Sequence, residues 1–123
     1  MRHTLIYIGA LLLLSITAAA TAQEPPKLEF FSVLQDTPIM PGLKELPEQT
    51  IIFDKPEGRI IESVAVIESG NKEGIQRYYE TILPQFGWSK ISNDSFARKT
   101  ELLKISFENH QNQNFFHIVV VPR

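Results

Sequence analysis

The chain has 123 residues, 43% of them hydrophobic, with 12 basic against 14 acidic side chains and no cysteine. The missing thiols exclude disulfides, thiolate metal sites and cysteine chemistry, so a domain of this size must hold together by its core alone. A net charge of −2 offers no basic face to phosphates or anionic lipids, which argues against a nucleic-acid binder or a polybasic membrane patch.

Residues 1–22 carry the three parts of a cleavable export signal in order. Arg2, with His3, is the positive end, Leu5 to Ile16 is the apolar run, and Ala18 to Ala22 is the small-residue stretch that a signal peptidase accepts. The cut falls after Ala22 or after Ala20. The apolar run is shorter than the roughly 20 residues of a spanning helix, which favours cleavage over a retained anchor. No Arg-Arg pair precedes the run and no cysteine stands at the cut, so neither a twin-arginine route nor a lipid anchor is indicated. The expectation is a protein that is soluble outside the cytoplasm and meets a membrane only through its signal. The signal holds one basic and no acidic residue, so about 101 residues remain with a net charge of −3. That length suits one domain with one modest core.

Residues 23–47 read as a polar leader and a proline-rich covering segment, and residues 48–123 as the α+β domain. Gln23 to Pro26 is polar and proline-bearing. Leu28 to Leu34 is apolar enough to dock on the domain, as a strand or as a short helix. Asp36 to Leu43 has two prolines and a glycine, each proline fixing φ and forfeiting a donor, so it reads as an ordered irregular loop. Thr50 to Asp54 and Arg59 to Ile67 are β-rich, and Pro56-Glu57-Gly58 between them supplies a hairpin turn.

Ile75, Tyr78, Tyr79, Ile82, Leu83 and Phe86 recur at helical spacing, the stripe of an amphipathic helix. Asn71 suits its N-cap with Glu73 in the first turn, Pro84 weakens the last turn, and Gly87 suits the stop. Beyond Gly87 the chain reads as strand. Trp88 to Ile91 and Phe96 to Lys99 flank the turn Ser92 to Ser95. Leu103, Ile105 and Phe107 alternate with polar neighbours. Asn109 to Asn114 is a polar turn, and Phe115 to Val121 is apolar on both faces, as a central strand is. The order β-β-α-β-β-β-β predicts an antiparallel sheet of about five to six strands with one helix on one face.

Catalytic, cofactor and metal motifs do not emerge. His110 reads as a turn residue and His117 as a half-buried strand residue beside Phe115 and Val119, and two histidines seven apart do not make a zinc site. The carboxylates are scattered singly, no serine sits in a nucleophile elbow, and the glycines form no phosphate loop. The residues that remain as candidates for partner binding are Asp36, Pro38, Met40 and Pro41, in the rigid loop, and Trp88, just past the helix. The plainer reading makes the loop a strap over the sheet and packs Trp88 beneath the helix end.

Three segments together resemble an uncharacterised family of small exported proteins of Gram-negative bacteria. They are Asp36 to Leu43, Phe53 to Ile60, and Tyr79 to Trp88, which ends Leu83-Pro84-Gln85-Phe86-Gly87-Trp88. The resemblance implies a periplasmic helix-on-sheet domain, and it transfers no catalytic residue. The functional expectation is a non-enzymatic periplasmic binding or accessory module for another envelope protein, or a homodimer, with no cofactor. A small-ligand carrier and a small hydrolase using surface carboxylates and His117 are the alternatives. One helix masks one sheet face, so the other needs residues 28–47, a second subunit or a partner.

Overall fold

The structure, a computed structural model, describes residues 27–123 and the single residue Ser15. The export signal expected over residues 1–22, Ser15 apart, and the leader over 23–26 lie outside the described residues. In chain order the strands are β1 (Leu43–Glu45), β2 (Ile51–Lys55), β3 (Gly58–Ile67), β4 (Ser89–Ser92), β5 (Ser95–Arg98), β6 (Glu101–His110) and β7 (Gln113–Pro122). Helix α1 (Lys72–Ile82) lies between β3 and β4, and 3₁₀ turns occupy Pro47–Gln49 and Leu83–Phe86.

All strands join one antiparallel sheet in the order β1-β3-β7-β6-β5-β4, with β2 also paired to β3. The α+β class is as expected, but the sheet has seven strands rather than five to six. The addition is β1, at the end of the segment read as an irregular covering loop. Its origin is a length mismatch. β3 has ten residues, while its hairpin partner β2 pairs only with Gly58 to Glu62. Leu43, Lys44 and Glu45 pair with Ile67, Val66 and Ala65 farther along the same edge, giving partners to backbone groups that the hairpin leaves bare. The chain takes six steps from Glu45 to Ile51 where β3 takes three from Ala65 to Glu62, and the surplus forms the 3₁₀ turn at Pro47–Gln49.

The helix follows its sequence pattern closely. The Asn71 side chain accepts from the Gly74 N–H at 2.8 Å, satisfying one of the free donors at the helix start. Ile75, Tyr79 and Leu83 are fully buried. Pro84 turns the last residues into the 3₁₀ turn that ends at Gly87.

The core lies between α1 and one face of the sheet. Period-two alternation puts Ile61 and Ala65 of β3, Phe116, Ile118 and Val120 of β7, Leu103 and Ile105 of β6, and Phe96 of β5 on that face, all buried. Tyr79 stacks on Phe116 with ring centroids 5.0 Å apart and planes 13° apart. Each of the buried Ile, Leu, Val and Phe side chains stabilises the fold by about 1.5–3 kcal/mol relative to exposure.

Residues 28–34 are neither strand nor helix. A single bridge joins Phe30 to Pro38, and the Ile39 N–H donates to the Glu29 carbonyl at 2.7 Å. The segment thus doubles back on itself and buries Phe31 and Leu34 in the same cluster as α1. The strap therefore lies on the helix side of the sheet. Phe115, His117, Val119 and Val121 of β7, which point the other way, are all half-buried.

The last hairpin differs from the expected six-residue polar turn. Gln111 and Asn112 alone make the turn, with φ of 50° and 62°, the geometry that matches strand twist. The strands consequently run on, and His110 is the end of β6, paired with Gln113, rather than a turn residue.

Candidate functional site

The strap is pinned by a buried tyrosine and a half-buried ion pair. The Tyr79 hydroxyl donates to the Pro38 carbonyl at 2.8 Å and accepts from the Met40 N–H at 3.3 Å. Burial pushes the ionisation of this phenol well above its ordinary range, against a lowering by the Met40 N–H. Asp36 pairs with Arg98 of β5. The Arg98 guanidinium also donates to the Phe86 carbonyl at 3.0 Å and lies 4.2 Å over the Trp88 ring, a cation–π contact. Glu101 joins the cluster through two hydrogen bonds from Arg59, at 2.8 and 3.2 Å, and these raise the Arg59 pKa.

Each residue singled out in the sequence is thereby placed. Asp36 anchors the strap, Pro38 is buried with its carbonyl on Tyr79, and Met40 is half-buried. Pro41 is exposed, and with Met40 and Tyr78 it lines a surface groove of about 430 Å³. Trp88 is 2% exposed and packs in the core under Arg98. The strap, α1 and Trp88 form one unit on one side of the sheet.

The opposite side carries an apolar row that crosses five strands. Phe53 of β2 stands beside Ile60 of β3, Val121 of β7 beside Leu102 of β6, and Leu102 beside Ala97 of β5. The β3–β7 register, in which Ile61 faces Val120, sets Ile60 next to Val121. Phe53 is 55% exposed, Ile60, Val121 and Leu102 are half-buried, and Ala97 at the far end is buried. No described segment crosses this row, because the strap folds to the helix side.

Farther along the same face the rows turn polar. His117 Nδ1 is 2.9 Å from Glu62 Oε1 in hydrogen-bonding geometry. Its Nε2 is 3.1 Å from Glu108 Oε2 without the alignment of a hydrogen bond. Gln49, Glu108, His110, Phe115 and His117 line a shallow depression of about 210 Å³ there. Ser106 faces His117 in the ladder, yet no described hydrogen bond joins them. No group of three or more histidines and carboxylates suited to a metal ion occurs among the described residues.

The two sheet edges differ. β4 has four residues, a register shift between Lys90 and Ser92, and Lys90 paired with Glu80 at 3.4 Å, all devices that blunt an edge. β2 has no such protection at its middle. Ile51, Ile52 and Phe53 are 54%, 55% and 55% exposed. Sequence reading missed this edge, although three consecutive apolar residues in a hairpin arm with no alternation are its signal.

No helix among the described residues is long and apolar enough to cross a membrane. Searches of protein-family models, of curated proteins and of solved structures each returned no match to this chain.

Proposed function

We propose that this protein is an exported, non-enzymatic binding or accessory module of the bacterial envelope, and that it engages an apolar ridge on another envelope protein through the open face of its sheet. The observation that carries this reading is the row Phe53, Ile60, Val121 and Leu102, left uncovered by a strap that folds to the helix side. A contiguous apolar patch of this kind on an exported domain marks a contact surface. The export signal read in residues 1–22 and the resemblance to small exported proteins support the periplasmic placement.

A photoreactive residue placed at Leu102 or at Val121 in living cells tests the reading. The expected result is one distinct adduct from both positions and none from Asn93, in the exposed β4–β5 turn. Identical adducts from all three positions, or none from Leu102 and Val121, would sink it.

The hydrolase alternative draws on one observation, the placement of His117 between Glu62 and Glu108 beside a depression. Its weakness is chemical. Nδ1 is engaged by Glu62, Nε2 faces a second carboxylate, and no hydroxyl nucleophile among the described residues is bonded to the ring. A ligand carrier fares no better between helix and sheet, where Tyr79, Phe116 and Leu83 fill the space.

A further inference from the structure

We propose that the exposed edge of β2 pairs with β2 of a second copy of this chain, Ile52 opposite Ile52, so that two sheets join into one across a two-fold axis. The inference rests on the binding reading above and deepens it, since pairing would extend the same apolar row.

The direction of the backbone groups restricts how the edge can be used. On the β2 side of β3, the Val64 carbonyl accepts from the Leu46 N–H and the Glu68 N–H donates to the Gly42 carbonyl. The even-numbered residues of β3 therefore bond toward this edge, and Gly58, Ile60 and Glu62 bond to Lys55, Phe53 and Ile51. Ile52 and Asp54 are left with N–H and C=O groups pointing outward, unpaired by the sheet. Thr50 offers only its carbonyl, because its N–H donates to Pro47 at 3.1 Å.

An antiparallel second copy must set outward groups against outward groups, which leaves few registers. With Ile52 facing Ile52, the two residues exchange a pair of hydrogen bonds, and each Asp54 N–H meets a Thr50 carbonyl. Ile51 then faces Phe53 on one side of the sheet, twice. Shifting by two residues one way puts Asp54 against Ile52, and shifting farther puts Asp54 against Asp54, a like-charge pair that destabilises a sheet. Shifting the other way sets Phe53 against Gln49, which the 3₁₀ turn takes out of the extended conformation. The Ile52-centred register gives three apolar pairs, Ile52 with itself and Ile51 with Phe53 twice, while each Asp54 faces Thr50 and not an apolar side chain or the other Asp54.

The face argument points the same way. In this register the row Ala97, Leu102, Val121, Ile60, Phe53 continues into Ile51 of the second copy. The β4 edge, with its bulge and its Lys90, is unsuited to such pairing, so assembly stops at a closed dimer rather than growing into a fibre. A five-residue edge is a small interface, and the dimer is expected to be a reversible one.

The full chain has no cysteine of its own, so a single introduced cysteine reads the register directly. In the proposed pair the Ile52 Cα atoms lie about 5.5 Å apart, inside disulfide range, whereas Ile51 is diagonal to its own copy at about 7–8 Å, outside it. Ile52→Cys should form a covalent dimer under mild oxidation at least roughly tenfold faster than Ile51→Cys. The unmodified protein should sediment as a concentration-dependent dimer, and Ile52→Asp should abolish it while leaving the circular dichroism unchanged. Equal cross-linking at the two positions, or an unmodified chain that stays monomeric at high concentration, overturns the proposal. A monomeric chain whose Leu102 probe still captures one envelope protein overturns self-pairing alone and leaves the binding reading standing.

Discussion

The hydroxyl of Tyr79, in the middle of α1, donates to the carbonyl of Pro38 at 2.8 Å, 41 positions earlier in the chain. With its ring stacked on Phe116, this one side chain ties strap, helix and central strand together. A buried carbonyl and the Met40 N–H depend on it. Removing the hydroxyl leaves them unpaired, and an orphaned buried polar group costs about 1–3 kcal/mol.

Tyr79→Phe should therefore lower unfolding stability by about 1–3 kcal/mol while keeping the ring stack. Tyr79→Ala should cost about 3–5 kcal/mol, since it adds a cavity. Denaturant unfolding of the two variants checks both values. Equal stability of Tyr79→Phe and the parent would show that the strap is not held through this group.

Alkaline pH should weaken the fold through the same residue. The folded-state pKa of Tyr79 is raised, mainly by burial, above the ordinary phenol value of about 10. Its contribution is thus fully present below pH of about 10 and is lost as pH rises toward the folded value. Stability should fall above that point with a slope of up to about 1.4 kcal/mol per pH unit. The fall should be shallower in Tyr79→Phe, measured as chemical denaturation between neutral and strongly alkaline pH.

Arg98 should report through the fluorescence of Trp88, the single tryptophan of the chain. Its guanidinium covers the indole and bonds to Asp36 and to the Phe86 carbonyl. Arg98→Ala should red-shift the emission and destabilise the fold by about 1–3 kcal/mol, from lost hydrogen bonds and the lost cation–π contact. Arg98→Lys should restore little of it, because an ammonium cannot stack and fork as a guanidinium does. An unshifted spectrum in Arg98→Ala would count against this coupling.

Two glycines separate backbone strain from collision. Gly42 has φ of 100° and a Cβ there would lie 2.8 Å from the Ser69 carbonyl oxygen, whereas Gly70, with φ of 96°, has nothing within 4 Å. Gly70→Ala should cost about 1–2 kcal/mol, the left-handed penalty alone. Gly42→Ala should cost clearly more, because β1 must move off the end of β3 to make room. Thermal unfolding of the pair ranks them, and the reverse order would contradict the geometry.

Local periodicity made much of this fold legible. The stripe from Ile75 to Phe86, the Asn71 cap and the two-sided apolar run Phe115 to Val121 are each encoded within a dozen residues. A helix repeats about every 3.6 positions and a central strand is apolar throughout, so these elements announce themselves without their partners. Leu43 to Glu45 did not, because three residues between prolines carry no period. Their strand character comes from β3, whose length leaves backbone groups to be paired.

The candidate surface was legible only in part. His117 and Glu62 are 55 positions apart, and Arg98 and Asp36 are 62 apart. Their meeting depends on strand register and on the path of the strap, which no short window contains. By its residues alone the chain settled that one helix packs on an antiparallel sheet with a thiol-free core, since composition and periodicity are properties of the sequence itself. Tertiary structure decided the rest. The strap reaches the helix side because Phe31, Leu34 and the Pro38 carbonyl find partners there. For that reason the row from Phe53 to Leu102 stays open.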